Sequence, residues 1–195
     1  KIKAEGLKIA INRMYGAFRD SNDFLYDPYC TYRTTINLQL CLIMLIEELE
    51  LNGISVVSAN TDGIVCKIPY ELEDTYYNIC NAWQAKLDFE LEYTDYERYL
   101  RKDVNDYIAV KKGFDENLNK LINSDDFNNK SDNDKKEALK ALEDDYIKRK
   151  GFFIEDLVFN KGYNSPVIAK ALNLQLIYGI PYEDTIMNHI NSSKF

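Results

Sequence analysis

The chain has 195 residues, 46% of them hydrophobic, and a formal net charge of −8. That is enough to bury one substantial core, or one core with an appendage, and too apolar for wholesale disorder. The acidity argues against a uniformly cationic nucleic-acid binder, although Lys1, Lys3, Lys8, Arg13 and Arg19 cluster at the start while Glu71 to Asp106 carries much of the acidic excess.

In chain order, Ile2, Leu7, Ile9, Ala10, Ile11, Met14 and Tyr15 predict a helix over Lys1 to Phe18, ended by Gly16 and the Asp20-Ser21-Asn22-Asp23 cluster. Thr34 or Thr35 is the candidate cap of a long apolar helix through Leu51, stopped by Asn52-Gly53, and its nearly continuous hydrophobicity predicts deep burial. Two β-branched runs, Val56-Val57 and Ile64-Val65, enclose Asn60-Thr61-Asp62-Gly63 and predict a hairpin in which Gly63 supplies the positive φ. Pro69 stops the second strand, and Glu71 to Leu87 returns to helical spacing.

Phe89-Glu90-Leu91-Glu92-Tyr93 alternates as a strand does, and Tyr107-Ile108-Ala109-Val110 is a second β-prone run. Asn117 to Lys150 is polar and reads as a surface excursion with one exposed helix around Ala138-Leu139-Ala141-Leu142. Ser165-Pro166 opens a helix that runs to Tyr178 and Gly179, and Pro181 opens a last short one. The fold class predicted is α+β.

Cys30, Cys41, Cys66 and Cys80 are widely spaced, with no CxxC pair and only His189 as an imidazole partner, so reduced cytosolic thiols are expected rather than a zinc site or a disulfide framework. The longest apolar run, Leu38 to Ile46, is interrupted by Gln39 and too short to span a bilayer, so no membrane partner is expected. The chain begins at Lys1, inside a predicted helix, which points to a piece of a longer protein.

Two groups of residues carry chemistry. Asp62, at the tip of a hairpin, would be a carboxylate held on paired strands, which suits a metal ligand; the same four residues also suit plain turn chemistry. Lys8, Asn12 and Tyr15 stand at i, i+4 and i+7, placing a cation, an amide and an aromatic on one helix face beside Gly16. Lys8 suits phosphate, and Tyr15 beside a glycine suits close approach of a base pair, whereas an ordinary amphipathic helix with Tyr15 in the core accounts for the same spacing.

Lys8-Ile9-Ala10-Ile11-Asn12-Arg13-Met14-Tyr15-Gly16 resembles the motif B helix of family B DNA polymerases, with Arg13 where the family has Ser. Ser58-Ala59-Asn60-Thr61-Asp62-Gly63 resembles motif C of that family, with Asn60 in place of its first Asp and Gly63 in place of Ser. Asp106-Tyr107-Ile108-Ala109-Val110 stands where the family has a Lys-Lys-x-Tyr strand, without the paired lysines. Lys161-Gly162-Tyr163, followed by Ser165 to Lys170, is similar to the passage into the thumb in phage-type members.

The resemblance implies a polymerase palm, an antiparallel sheet backed by helices: residues 1–30 would close the fingers and link to the palm, 31–113 would form the palm, and 114–195 would hold the excursion and the start of a helical thumb. It implies template-directed addition of deoxynucleotides to a primer by two-metal phosphoryl transfer, with Asp62 as catalytic carboxylate and Mg2+ ligand. Lys8, Asn12, Tyr15 and Gly16 would bind the deoxynucleoside triphosphate, and Tyr107, Lys111 and Lys161 would contact primer-template DNA. Lys102 and Lys112 are further candidate phosphate contacts, with solvated surface lysines the plainer reading of each, and Tyr93, Tyr96 and Tyr99 suit either base stacking or packing.

The motif A carboxylate, and with it the exonuclease, would lie in N-terminal segments of the same polypeptide, and Asp20, Asp23 and Asp27 do not fit its pattern. The fragment alone is therefore expected to be inactive. The implied location is cytoplasmic, an infected bacterial host being the setting for a phage enzyme. Two other readings remain at this point: another palm-type nucleotidyl transferase, and a catalytically silent nucleic-acid-binding module that keeps the palm shape.

Overall fold

The structure, a computed structural model, describes residues 2–61, 63–155 and 166–192. It is α+β, as expected, and divides into two compact units, Lys1–Leu91 and Glu92–Phe195. No helix among the described residues is long and apolar enough to cross a membrane.

The first unit opens with α1 (Ile2–Ala17) and α2 (Pro28–Leu51). Helix α2 begins before the expected Thr34 or Thr35, because Asp27-Pro28 is the stronger start signal. The Asp27 carboxylate accepts from the Cys30 backbone N–H at 2.9 Å and Pro28 occupies the first turn, where its missing N–H costs nothing. Asn52 and Gly53, the latter at φ 82, end the helix as expected.

Strands β1 (Ser55–Asn60) and β2 (Gly63–Lys67) form an antiparallel hairpin, and α3 (Glu73–Leu87) follows a short 3-10 turn over Tyr70–Leu72. Leu45, Leu49, Ile54 and Cys80 make the core, with Val56, Ile64, Cys66 and Trp83 packed around it. Trp83 Nε1 donates to the Cys41 carbonyl at 2.8 Å and pins α3 to α2.

The deep burial expected of α2 does not occur. Only Thr31, Leu45 and Leu49 are buried, while Tyr29, Tyr32, Ile36, Leu38, Leu40 and Ile43 are exposed. One α3 helix and a two-stranded hairpin are too narrow to cover more than one stripe of a 24-residue helix.

The strand expected over Phe89 to Tyr93 is also absent. Asp88 caps α3 in the left-handed region at φ 57, Phe89 packs against Trp83 with ring centroids 5.9 Å apart, and the Gln84 side-chain oxygen accepts from Leu91 N–H at 2.7 Å. The alternation there records packing onto a helix and not strand pairing.

The second unit is built on a three-stranded antiparallel sheet of β3 (Tyr96–Arg101), β4 (Tyr107–Lys111) and β5 (Ile147–Lys150), with β4 central. Residues 117–150 do hold the helix expected around Ala138-Leu139-Ala141-Leu142, which has no fully buried residue, but the segment is more than a surface excursion. It carries most of α4 (Phe114–Ile122), then α5 (Asp125–Asn128), α6 (Asp132–Tyr146) and the third strand itself. Leu118, Leu142, Tyr146 and Ile147 pack with Ile108, Val110, Phe114 and Phe153, so a few well-spaced apolar residues in a polar background are enough to fix the segment. Helices α7 (Pro166–Tyr178) and α8 (Tyr182–Ser192) form as expected, and Ile177 of α7 closes the core.

Candidate functional site

The hairpin of the first unit pairs Asn60 with Gly63, Ala59 with Ile64 and Ser58 with Val65, leaving a two-residue tip, Thr61 and Asp62. A bulge between Val56 and Ser58 then resets the alternation so that Val56, Ile64 and Cys66 all reach the core. Asp62 itself lies outside the described residues.

Gly63 does not supply the positive φ expected of it: it is the first residue of β2, and a Cβ there would meet nothing within 4 Å. Among the described residues of the tip, Thr61 is left-handed, at φ 51. Positive φ at the first central position is what the primed two-residue hairpin turns require, and a β-branched side chain makes it costly. Thr61 Oγ1 donates to Asn60 Oδ1 at 2.9 Å, so the amide of Asn60 is engaged within the tip.

The base of the hairpin is firmly held. The Glu50 carboxylate accepts from Val56 N–H at 2.6 Å, and Cys66 packs beside Cys80. Burial, with smaller contributions from Cys80 and Glu50, pushes the Cys66 thiol from 9.0 up to about 11. A raised pKa in the fold means that the neutral thiol contributes its full stability below the unfolded value and loses it as pH rises through the folded one. Unfolding midpoints of the Cys66→Ala variant and the parent chain should therefore run parallel up to about pH 9 and converge between pH 9 and pH 11. A constant offset across that window would show that Cys66 ionises as freely in the fold as out of it.

On α1, Lys8 and Asn12 are exposed, and neither is joined to the hairpin by a hydrogen bond or ion pair among the described residues. Tyr15 is half-buried, and its hydroxyl lies 2.7 Å from Thr35 Oγ1 of α2. Thr35 already donates to the Thr31 carbonyl at 2.9 Å, which leaves Tyr15 as the donor. A Cβ at Gly16 would meet nothing within 4 Å, so the surface over it is open. Leu7, Ile9, Ile11 and Met14 are exposed as well, so α1 presents its polar and apolar faces alike to solvent.

In the second unit, Tyr107 is half-buried on β4 and Lys111 ends that strand. Lys111 Nζ donates to the Asp145 carbonyl at 2.7 Å, which fixes the side chain without neutralising it. Lys102 Nζ stands 3.6 Å from the Asp106 carboxylate and 5.0 Å from the Phe152 ring centre, so its charge is partly offset. Lys161 lies outside the described residues.

Among the described residues no three His, Cys, Asp or Glu side chains gather into a metal-binding group.

Sequence reasoning missed Arg101, Lys148 and Lys150, which share one sheet face with Tyr107 and Lys111. The signal was weak, because Ile147-Lys148-Arg149-Lys150 has one apolar residue followed by three cations and does not alternate as a half-buried strand does. Among known proteins, no family model, no curated protein and no solved structure matches this chain.

Proposed function

We propose that this chain is the motif B helix, part of the palm and the start of the thumb of a family B DNA polymerase, within a longer polypeptide that supplies the second carboxylate. The observation that supports the reading is the register of the hairpin, which pairs Asn60 with Gly63 on strands anchored in a core, so that the chain turns within two residues. Exposure of Lys8 and Asn12 on α1, with open surface over Gly16, supports the nucleotide-binding part. The reaction is template-directed addition of deoxynucleotides to a primer, with Asp62 as this chain's Mg2+ ligand, Lys8 on the triphosphate, and Asn12 and Tyr15 lining the nascent pair.

Lys8→Ala in the longer polypeptide tests the pairing of the two motifs. Loss of one charge-assisted hydrogen bond to phosphate should raise KM for the incoming triphosphate by about 10- to 100-fold, with primer-template affinity unchanged. An unaltered KM would remove α1 from the active site.

A further inference from the structure

The outer face of the three-stranded sheet is both aromatic and cationic. Ile108 and Val110 point into the core, so Tyr107, Ala109 and Lys111 point the other way. Cross-strand pairing then sets Arg101 and Lys150 on either side of Tyr107, Tyr99 and Lys148 on either side of Ala109, and Tyr96 opposite Lys111. A bulge between Tyr96 and Arg98 shifts the alternation of β3, which brings Tyr96 and Tyr99, three residues apart, to one face.

The three rings run in a series, with centroids 6.1 Å apart from Tyr96 to Tyr99 and 5.4 Å apart from Tyr99 to Tyr107. Lys150 Nζ stands 5.9 Å from the Tyr107 ring centre. Each ring is half-buried, with an edge or face left to solvent.

The cations of this face differ from those of the inner face in their pairing. Inner-face Arg98 pairs with Asp115 at 2.6 Å and inner-face Arg149 with Glu143 at 2.7 Å. Among the described residues, none of Arg101, Lys111, Lys148 and Lys150 is ion-paired with a carboxylate. A chain of net charge −8 therefore keeps four cations together beside a tyrosine series. Asp95 and Asp145 border the depression at the Lys111 end, which makes the rows through Tyr107 and Tyr99 the favourable ones for phosphate.

We infer that this sheet face binds single-stranded DNA, with unpaired bases stacked on Tyr99 and Tyr107 and the backbone phosphates carried by Arg101, Lys148 and Lys150. Stacking on an aromatic ring needs an unpaired base, and flanking cations follow the phosphates, so the pattern suits an open strand better than a duplex. The choice of DNA over RNA rests on the polymerase reading; the surface itself does not.

Fluorescence anisotropy of the 195-residue chain with labelled dT15, a 15-base-pair duplex, rU15 and inorganic polyphosphate, all in EDTA, tests the inference. The expected result is that dT15 binds at least tenfold tighter than the duplex or polyphosphate and no more weakly than rU15. Tyr99→Leu, which keeps apolar bulk, should weaken dT15 binding about tenfold and leave polyphosphate binding unchanged. Lys148→Glu with Lys150→Glu, on the strand surface, should weaken it further and flatten the salt dependence by about 0.7 in log-log slope for each phosphate no longer neutralised.

Equal affinity for dT15 and polyphosphate, or indifference to both variants, would overturn the inference. Tighter binding of rU15 would overturn the choice of DNA, and tighter binding of the duplex would overturn the open strand. Because EDTA removes any part played by metal at the hairpin tip, failure of this experiment leaves the role of Asp62 standing, and loss of that role leaves this result standing.

Discussion

Asp62→Ala in the longer polypeptide is expected to lower primer extension by at least about a thousandfold, some 4 kcal/mol of barrier, while the fold survives. The residues that hold the first unit together are Leu45, Leu49, Ile54 and Cys80, and Asp62 is not among them. Removing a tip carboxylate takes away a charge and leaves the core intact. Asp62→Asn separates charge from shape: it keeps the volume and hydrogen-bonding atoms of the side chain and should be as inactive as Asp62→Ala. Extension by Asp62→Asn near the parent rate would mean that the carboxylate is not the metal ligand, whatever the alanine variant does. Asn60→Ala should be milder, since the amide at that position already bonds within the turn and carries no charge.

The second large effect is on folding. Gly151 follows β5 at φ 61, and a Cβ there would stand 1.8 Å from Asp106 Oδ1 and 2.6 Å from the Asn105 carbonyl oxygen. The backbone contact cannot be relieved by rotating a side chain. Asp106 cannot move aside without loss either, because its Oδ1 accepts from Phe152 N–H at 2.9 Å and so ties the chain after β5 to the start of β4. Gly151→Ala combines left-handed backbone strain of about 1–2 kcal/mol with loss of that hydrogen bond. The total expected is roughly 2–5 kcal/mol, read as a fall in the urea midpoint. Gly6→Ala is the matched control: its Cβ would meet nothing within 4 Å in the middle of α1, and it should be neutral or stabilising by up to about 1 kcal/mol. Equal midpoints for Gly151→Ala and the parent chain would show that the passage beside Asp106 is looser than this geometry.

Features written in adjacent residues were legible in the sequence. The hairpin announced itself through Asn60-Thr61-Asp62-Gly63 between β-branched runs, and both C-terminal helices through Pro166 at the start of one, Pro181 just before the other and Gly179 between them. The same locality explains the errors. Asp27-Pro28 starts α2 more strongly than a threonine inside the helix, where Thr35 bonds back to the Thr31 carbonyl instead of capping anything. The alternation of 89–93 was real but served Trp83 and Gln84 rather than a neighbouring strand. In 117–150, the residues that join the core are too far apart for their period to stand out against the polar background.

The site divides in the same way. Lys8, Asn12 and Tyr15 share a helix face that follows from spacing alone, and Asp62 sits in a recognisable turn. The sheet face could not be read so directly, because Arg101, Tyr107 and Lys150 become neighbours only through the pairing of three strands. Two bulges compound the difficulty, since each inserts a residue that a strict two-residue period does not anticipate. The hairpin tip departs from expectation for a related reason: composition favours glycine for a left-handed position, but the register sets Gly63 in the strand, and among the described tip residues Thr61 takes the positive φ.

The measurement that bears most directly on the central proposal is single-nucleotide incorporation by the longer polypeptide on a primer-template with one unpaired template base, offering each of the four deoxynucleoside triphosphates alone. The prediction is incorporation of the complement of the template base, a change of incorporated nucleotide when the template base is changed, and loss of all incorporation in Asp62→Asn. No incorporation by the parent polypeptide, or incorporation that ignores the template base, would contradict the assignment of this hairpin and helix to a DNA polymerase.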